Sequence, residues 1–202
     1  MKLYTVAQVR EAERLTETEY GIPLSVLMDN AGRCLAQTAV GMLPDATAVI
    51  GIFCGSGNNG GDGYVCGATL LQKGRKVMLW GVGVDKLQPG SLAKNAAKAY
   101  VAAGGEIQSI TYELSAPEAG CGLIVDALLG TGLTRPVSDL YAHVIGLINE
   151  FPAPVLSCDV PSGVDADTGR IMGASVKADK TLIMGMAKKA CRLSPGMEMH
   201  GE

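Results

Sequence analysis

The sequence has few aromatic residues and no excess of basic charge. Aromatic side chains are 4% of the 202 residues, and 17 Lys and Arg residues against 20 Asp and Glu residues leave a formal net charge of −3. Domains that bind nucleic acids present a basic surface, and many also stack bases on aromatic side chains. We therefore expect no nucleic-acid partner and favour a small molecule as the ligand.

Long apolar runs and paired cysteines are also missing. No segment approaches the about 18 consecutive apolar residues of a membrane span, and residues 1–14 lack the apolar core of a signal peptide. The six cysteines form no C-x-x-C pair, and most of them lie within apolar stretches. These absences predict a cytoplasmic protein without membrane association, whose thiols are reduced and buried.

The chain is rich in apolar residues that alternate between strand and helix patterns. Hydrophobic residues are 48% of the chain, enough for the core of one domain spanning residues 1–202. Thr5 and Gln8 cap a first helix and Pro23 opens a second, and both precede the first strand. The pattern then predicts strands at 47–54, 75–80, 106–110, 122–127 and 154–158, with helices at 61–73, 91–103 and 137–150.

This order of elements indicates the fold class. Strands joined by helices pair in parallel with right-handed crossovers, and continuous apolar strands such as 48–53 are covered on both faces. We predict an α/β fold, a three-layer α/β/α Rossmann-like sandwich with a mostly parallel central sheet and two N-terminal helices before its first strand.

The run Gly55–Gly63, directly after the first predicted strand, is the most specific segment. It holds five glycines, two amides and one carboxylate. Glycine lets the backbone approach a ligand closely, and a following helix presents N–H groups that attract phosphate. Asn58, Asn59 and Asp62 add side-chain oxygens that phosphate binding alone does not need. We predict a diphosphate site with a second ligand or a cation beside it.

Two further strands are followed by acidic and glycine-rich segments. Asp126 lies at the end of strand 122–127, and Asp159 follows strand 154–158 and precedes Ser162. Ligands of an open parallel sheet lie beyond the carboxyl ends of its strands. The sequence therefore predicts one crevice that all three segments border.

The glycine run also satisfies G-x-G-x-x-G through Gly55, Gly57 and Gly60, which leaves a dehydrogenase open as an alternative. A dinucleotide-binding fold of that kind needs an acid at the end of the next strand to bind the ribose. The first acid there, Asp85, comes several residues late, which makes a dehydrogenase the weaker interpretation. The P-loop motif G-x-x-x-x-G-K-[ST] is absent, so a P-loop enzyme is excluded.

Four segments in sequence order resemble the NAD(P)H-hydrate epimerase family, the YjeF N-terminal domain: Leu27–Gly32, Gly57–Gly63, Asp126–Gly132 and Asp159–Gly163. The resemblance covers nearly the whole chain. It implies epimerisation of the R and S hydrates of NADH and NADPH (NADHX and NADPHX), damaged cofactors with a hydroxyl on C6 of the nicotinamide ring. A non-catalytic nucleotide-binding or protein-interaction module on the same fold is the alternative.

The resemblance also implies roles for single residues and for partners. A potassium ion, K+, would be held by Asn59, Asp126 and Ser162, whose amide, carboxylate and hydroxyl oxygens suit a hard cation. The implied partners are NADHX or NADPHX as substrate, a second copy of the chain in a homodimer, and a fused or separate ADP- or ATP-dependent NAD(P)H-hydrate dehydratase. The implied substrate-binding residues are Asn58, Asn59, Gly60, Gly61, Asp62, Gly130, Thr131, Gly132, Leu133, Thr134, Arg135, Pro136 and Asp159.

Asp159 is our candidate for the catalytic residue. Loss of water from C6 would give an iminium ion, and addition of water to its other face would invert the centre. That route needs a proton shuttle, and a carboxylate can serve as one while it stabilises the cationic intermediate. Asp126 is the competing candidate, although a carboxylate committed to a cation is a poorer base.

The end of the chain departs from the family pattern. The family continues past a segment like Ser194–Gly196 into a final strand, whereas this chain stops at Glu202, and Lys188 and Lys189 only approximate its lysine segment. We therefore expect either a chain truncated at its C-terminus or the first half of a longer protein. A sheet that lacks an edge strand is the structural expectation.

Overall fold

The computed structural model describes residues 2–112 and 120–202. Two 3₁₀ turns, at Val84–Lys86 and Lys189–Arg192, accompany the longer elements. The helices of this part are α1 (Val6–Thr18), α2 (Leu24–Met42), α3 (Asn58–Gln72), α4 (Leu92–Ala102), α5 (Asp139–Glu150) and α6 (Gly196–Met199). Its strands are β1 (Val49–Cys54), β2 (Lys76–Gly81), β3 (Ile107–Ser109), β4 (Cys121–Ala127), β5 (Val155–Cys158) and β6 (Lys180–Leu182).

The six strands form one parallel sheet in the order β3-β2-β1-β4-β5-β6. The chain moves outward from β1 to β2 and β3, then returns to place β4 on the other side of β1. The order therefore reverses between β1 and β4, and such a switch point opens a crevice at the carboxyl ends of the strands. The predicted α/β class and parallel pairing are confirmed.

The sheet is covered on both faces, as the continuous apolar strands predict. Ile50 and Ile52 of β1 pack on the face that carries α2, α3 and α4. Phe53 of β1 lies on the opposite face, where Val144 and Ile148 of α5 pack. These two hydrophobic clusters make the three layers of the predicted sandwich.

Both N-terminal helices precede the sheet as predicted, and α1 has the predicted capping box. The N–H of Gln8 donates to Thr5 Oγ1 at 3.2 Å, and the N–H of Thr5 donates to Gln8 Oε1 at 2.9 Å. The small residues of α2 face inward. A Cβ on Gly32 would come within 2.4 Å of Val65, so this glycine lets α2 pack closely on α3.

Helix α3 begins at Asn58, earlier than the predicted start at residue 61. Glycine has a low helix propensity, so a prediction based on propensity places the start of this helix too late in the glycine run. Packing overrides propensity here. A Cβ on Gly60 would lie 1.9 Å from the carbonyl oxygen of Gly55, and one on Gly63 would lie 2.6 Å from Cys54 Sγ, so only glycine lets α3 begin against the end of β1.

Strand β6 is absent from the sequence-based prediction. It has only three residues, and no helix connects it to β5, so neither its length nor an alternating pattern identifies it. It pairs in parallel with β5 and forms one edge of the described sheet. The backbone of Glu202 bonds to this edge. Its N–H donates to the Asp179 C=O at 3.0 Å, and its C=O accepts from the Thr181 N–H at 3.1 Å.

The cysteines follow the prediction with two exceptions. All six are free thiols, and Cys54, Cys66, Cys121 and Cys158 are buried as predicted. Cys34 is exposed and Cys191 is half-buried, so burial does not extend to every thiol. Within residues 2–112 and 120–202, no helix is both long and apolar enough to span a membrane.

Candidate functional site

The N-terminus of α3 opens into the crevice at the switch point. Gly57 is its N-cap residue, in extended conformation, and no side chain caps the helix there. A Cβ on Gly57 would meet nothing within 4 Å, so the space outside this end of the helix is open. The first N–H groups of a helix have no partner within it and carry partial positive charge, which suits a phosphate group.

Asp126, near the end of β4, is fully buried and bonded entirely by neutral donors. Its Oδ2 accepts from Ser157 Oγ and from the N–H of Ser162, each at 2.9 Å. Its Oδ1 accepts from Ser162 Oγ at 2.5 Å and from the N–H of Leu128 at 3.2 Å. Burial raises the pKa of Asp126, while the hydrogen bonds from Ser162, Leu128 and Ser157 act in the opposite direction.

Ser162 and Asn59 meet Asp126 through the segment that follows β4. The Ser162 hydroxyl lies 3.1 Å from the carbonyl oxygen of Leu129 and accepts from the Leu129 N–H at 2.8 Å. Asn59 Nδ2 donates to that same carbonyl at 3.1 Å. Asn59 and Ser162 therefore meet at Leu129, and Ser162 also bonds Asp126, so contacts link the three predicted cation ligands although they belong to three separate parts of the sequence.

The donor set fits a hard monovalent cation. The Ser162 hydroxyl has one proton, and two acceptors lie within its reach, Asp126 Oδ1 and the Leu129 carbonyl oxygen. It can donate to only one of them at a time, so the other acceptor receives no hydrogen bond from Ser162. Oxygen atoms from an amide, a carboxylate, a hydroxyl and a backbone carbonyl are ligands that such cations accept. Among residues 2–112 and 120–202, no group of three or more His, Cys, Asp or Glu residues is arranged to hold a metal ion.

Asp159, just past β5, has an unusual backbone and a cationic partner. Its φ is 69°, in the left-handed region that non-glycine residues rarely occupy. The Asp159 N–H donates to Leu182 C=O at 2.8 Å, and Asp159 Oδ1 accepts from the N–H of Met184 at 3.0 Å. The Lys188 ammonium forms an ion pair with the same oxygen, and these contacts hold the carboxylate in one orientation.

Lys188 is a buried charged residue beside Asp159 that the predicted site set omits. Its side chain is 3% exposed, and its Nζ also donates to Met184 C=O at 2.8 Å. An isolated β-bridge pairs Lys188 with Tyr4, and the Tyr4 N–H bonds to Ala187 C=O at 2.9 Å. The only sequence signal for it was the lysine doublet at 188–189, because its partner lies in a different segment and its burial depends on the fold.

Asp62, on the second turn of α3, lies on the Asp159 side of the crevice. The Cys158 thiol donates to Asp62 Oδ2 at a sulfur–oxygen distance of 3.8 Å. Burial raises the pKa of Asp62 to about 8, and the neighbouring charge of Asp159 adds to that shift. The Asp62 carboxyl group therefore favours its protonated form at neutral pH.

The remaining predicted substrate residues differ in their surroundings. Gly60 and Gly61 are buried at the start of α3, where a Cβ on Gly61 would lie 2.5 Å from Met28, whereas Asn58 is exposed. Gly130 lies against Asn59, since a Cβ there would come within 3.2 Å of its amide group. The rest of that loop is exposed or half-buried, and no contact with the carboxylates is described for Thr131, Gly132, Leu133, Thr134, Arg135 and Pro136.

Comparisons with known proteins agree with this architecture. The family described as YjeF-related protein N-terminus matches residues 24–190. A bifunctional NAD(P)H-hydrate repair enzyme of Thermofilum pendens is 37% identical over 209 residues, covering 100% of this chain and 39% of the relative. An NAD(P)H-hydrate epimerase of Elusimicrobium minutum is 35% identical over 196 residues, covering 95% of this chain and 89% of the relative.

The chain thus spans well under half of the bifunctional relative and most of the single-function one. A crystal structure of the yeast protein YNL200c matches the fold with a TM-score of 0.83 and 22% identity, covering 94% of this chain and 83% of that one. The match of the family to residues 24–190 includes α2, the glycine run, Asp126, Asp159, Ser162 and Lys188. This protein belongs to the family of YjeF-related protein N-termini.

Proposed function

We propose that this chain is an NAD(P)H-hydrate epimerase, which interconverts the R and S forms of hydrated NADH and NADPH in nicotinamide-nucleotide repair. The observation that carries the proposal is the buried Lys188–Asp159 ion pair at the same strand edge as the uncapped N-terminus of α3. An anion-binding helix end can hold the diphosphate, and a fixed carboxylate can handle a proton. The names of relatives that cover most or all of this chain support the same activity.

The substrate would lie across the carboxyl ends of β1, β4 and β5. Its diphosphate would accept hydrogen bonds from the first N–H groups of α3, at Asn58, Asn59 and Gly60. The loop Gly130–Pro136 would border the dinucleotide from the β4 side, where its exposed residues face solvent in the free protein. This arrangement directs the nicotinamide ring towards the carboxyl groups rather than towards solvent.

Asp159 would act on the substrate as proton shuttle. Its carboxylate would also stabilise the positive charge that develops when C6 loses its hydroxyl group. Lys188 is a positioning residue in this scheme, because it bonds Asp159 Oδ1 and Met184 C=O and is nearly buried. Asp126 is a weaker candidate for the shuttle, since its two oxygens already accept four hydrogen bonds.

We also propose that Asn59, Asp126 and Ser162 hold K+. When bound, the ion would supply a positive charge beside the diphosphate and offset the buried carboxylate. Asn59 links the two functions, because it lies in the first turn of α3 and also contacts the segment after β4. The neutral hydrogen bonds around Asp126 keep that carboxylate in place for the cation.

The test of the activity is equilibration of separated R and S hydrates, followed by chiral chromatography. The purified chain should equilibrate NADHX or NADPHX faster than the buffer does, and faster with K+ than with an equal ionic strength of a bulky organic cation. Addition of NADH together with carbonyl substrates should cause no absorbance change, which separates an epimerase from a dehydrogenase. Equilibration at the buffer rate under all conditions would contradict the proposal.

A homodimer through the N-terminal helices is part of the proposal. Gly32, Ala36 and Ala39 of α2 are buried within the single chain, so they are not free for a partner. Exposed apolar side chains lie instead where α1 meets α2, with Tyr20 at 77%, Ile22 at 41% and Val26 at 43% exposure. Sedimentation of wild type and of Val26→Glu should show a dimer that the added charge disrupts, and a monomeric wild type would contradict this assembly.

We further propose that the protein acts in the cytoplasm, together with an ADP- or ATP-dependent NAD(P)H-hydrate dehydratase on the same or a separate chain. Epimerisation supplies the form that a stereospecific partner consumes. A dehydratase that uses one hydrate should therefore consume a racemic mixture to completion faster when this chain is added than when it is left out. Complete consumption at the same rate without the chain would contradict the partnership.

A further inference from the structure

Asp62 is a half-buried carboxyl group without a cation of its own. In the described part of the chain, its one side-chain hydrogen bond comes from the Cys158 thiol, and no ion pair involves it. Lys188 is the cation near it, and that ammonium group is bonded to Asp159 and to the Met184 carbonyl. A carboxyl group that is partly withdrawn from water and lacks a counter-charge favours its neutral form.

Asp159 has the opposite surroundings. Lys188 pairs with its carboxylate and the N–H of Met184 donates to the same oxygen, so this carboxylate has both a cationic partner and a backbone donor. Cys158 precedes Asp159 in the chain and contacts Asp62, which places both carboxyl groups at the end of β5. Two carboxyl groups whose surroundings differ in this way are suited to opposite roles in proton transfer.

We propose that Asp62 is a second catalytic residue of the epimerisation, a general acid that works in a pair with Asp159 as general base. This inference rests on the proposed epimerase function. Asp62 acts on the departing oxygen and Asp159 on the arriving water, whereas the scheme with one proton shuttle gives both tasks to Asp159.

The proton balance of this scheme is complete. As the C6–O bond breaks, the lone pair of the ring nitrogen forms the N=C6 bond of the iminium ion, and the Asp62 proton goes to the departing oxygen to give water. A water molecule then adds to the other face of C6, its proton goes to Asp159, and the N=C6 π electrons return to nitrogen. One water leaves and one is added, and the proton that moved from Asp62 to Asp159 returns through exchange with solvent.

The groups that face Asp62 determine how readily it gives up its proton. Asp159 after β5 and Glu13 on α1 make proton loss harder, whereas the Cys158 hydrogen bond and the Lys188 charge make it easier. The buried thiols of Cys54 and Cys66 are also near it and remain protonated, because burial raises their pKa values. Two of these neighbours, Glu13 and Cys158, are thus predicted to shift the Asp62 titration in opposite directions.

The first experiment measures the protonation of Asp62 without measuring activity. Infrared difference spectra of wild type against Asp62→Asn should contain a protonated-carboxyl band at pH 7 that disappears with a midpoint near 8. Glu13→Gln should move this midpoint to lower pH, and Cys158→Ala should move it to higher pH. An Asp62 that is already ionised at pH 6 would overturn the proposal.

The second experiment connects the proton to the reaction. Asp62→Asn should lower kcat for epimerisation about 100-fold or more while KM changes less than threefold, since an amide keeps the shape but cannot donate a carboxyl proton. The alkaline fall in wild-type kcat should follow the infrared midpoint and shift with Glu13→Gln and Cys158→Ala. Both of those variants retain Asp62, so they test the acid even if Asp62→Asn folds poorly.

The outcomes separate this inference from the proposed function. A wild-type chain that does not accelerate epimerisation contradicts the epimerase activity and with it this role of Asp62. A wild-type chain that is active, with Asp62→Asn equally fast or with an alkaline limb that neither neighbour variant shifts, overturns only the role of Asp62.

Discussion

Asp126 and Asp159 are two carboxylates at neighbouring strand ends, and their surroundings differ in almost every respect. Asp126 is fully buried, belongs to β4, and accepts four hydrogen bonds from neutral groups. Asp159 is partly accessible, lies outside the strands with a positive φ, and pairs with a buried ammonium group. The difference fits the roles proposed above, in which Asp126 holds a cation and Asp159 meets the substrate.

The backbone of Asp159 supports this division of roles. A non-glycine residue in the left-handed region costs about 1 kcal/mol or more, and such residues are frequent at functional sites. Hydrogen bonds to Leu182 and Met184 and the ion pair with Lys188 offset that cost. The strained conformation is therefore maintained by β6 and the segment after it.

Loss of the Asp159 carboxylate should have the strongest effect on activity. Asp159→Asn should lower the rate of epimerisation by about 10²- to 10⁴-fold, because an amide cannot carry the proton. Binding of the dinucleotide should change little, since the proposed contacts with the diphosphate are on α3. Chiral chromatography gives the rate and isothermal titration calorimetry gives the affinity; a variant that equilibrates the hydrates at the wild-type rate would leave Asp159 without a chemical role.

The next effect concerns the stability of the Asp126 side. Asp126→Asn replaces one carboxylate oxygen by an NH₂ group, although all four groups that bond this carboxylate are donors. At least one buried hydrogen bond is therefore lost, and two donors face each other. We expect the free energy of unfolding to fall by about 2–3 kcal/mol. Urea unfolding monitored by circular dichroism measures it, and an unchanged stability would show that the network does not restrain this carboxylate.

Asp62 should make the stability of the protein depend on pH, because its pKa of about 8 in the folded state lies above the ordinary value of 3.8. Between these values the folded state binds a proton that the unfolded state has released, so stability falls as pH rises. The contribution is fully present below pH 3.8 and is lost by about pH 8, at up to about 1.4 kcal/mol per pH unit.

Urea unfolding between pH 5 and 8 measures this dependence. Asp62→Asn should flatten the fall in stability, whereas the exposed control Asp85→Asn should retain the wild-type dependence. Parallel curves for wild type and Asp62→Asn would show that Asp62 is ionised in the folded protein.

The smallest expected effect separates two serines that bond the same carboxylate. Ser162→Ala and Ser157→Ala each remove a hydroxyl donor from Asp126 and should each lower the free energy of unfolding by about 1–3 kcal/mol. Only Ser162→Ala should also weaken activation by K+, because its hydroxyl additionally contacts Leu129. The K+ concentration for half-maximal rate measures this difference, and an equal loss in both variants would remove Ser162 from the cation site.

Much of the fold could be predicted because it rests on local patterns. The capping box at Thr5, the continuous apolar strands and the strand–helix alternation all follow from residues close together in sequence. They correctly predicted the three layers, the parallel pairing and the placement of Asp126 and Asp159 at neighbouring strand ends. The start of α3 was predicted too late because its glycines are required by contacts with Gly55 and Cys54, which lie outside the helix.

Strand β6 and Lys188 could not be predicted in the same way. A strand of three residues gives almost no periodic signal, and its place in the sheet depends on pairing with β5. Lys188 follows β6, and its backbone pairs with Tyr4 near the other end of the chain. A lysine becomes a buried partner only when distant segments enclose it, and no local pattern encodes that enclosure.

Periodicity and turn chemistry act over short distances along the chain. The sequence alone is therefore enough to predict the class of fold, the oxygen-rich composition of the site and the strand ends that form this site. The surroundings of each carboxyl group depend on the tertiary structure. Asp62, Asp126 and Asp159 are the same residue type, and they differ in burial, in hydrogen-bond donors and in access to the single ammonium group of Lys188. Those differences arise when segments far apart in the chain pack together, and solvation and charge then separate the roles that composition leaves equal.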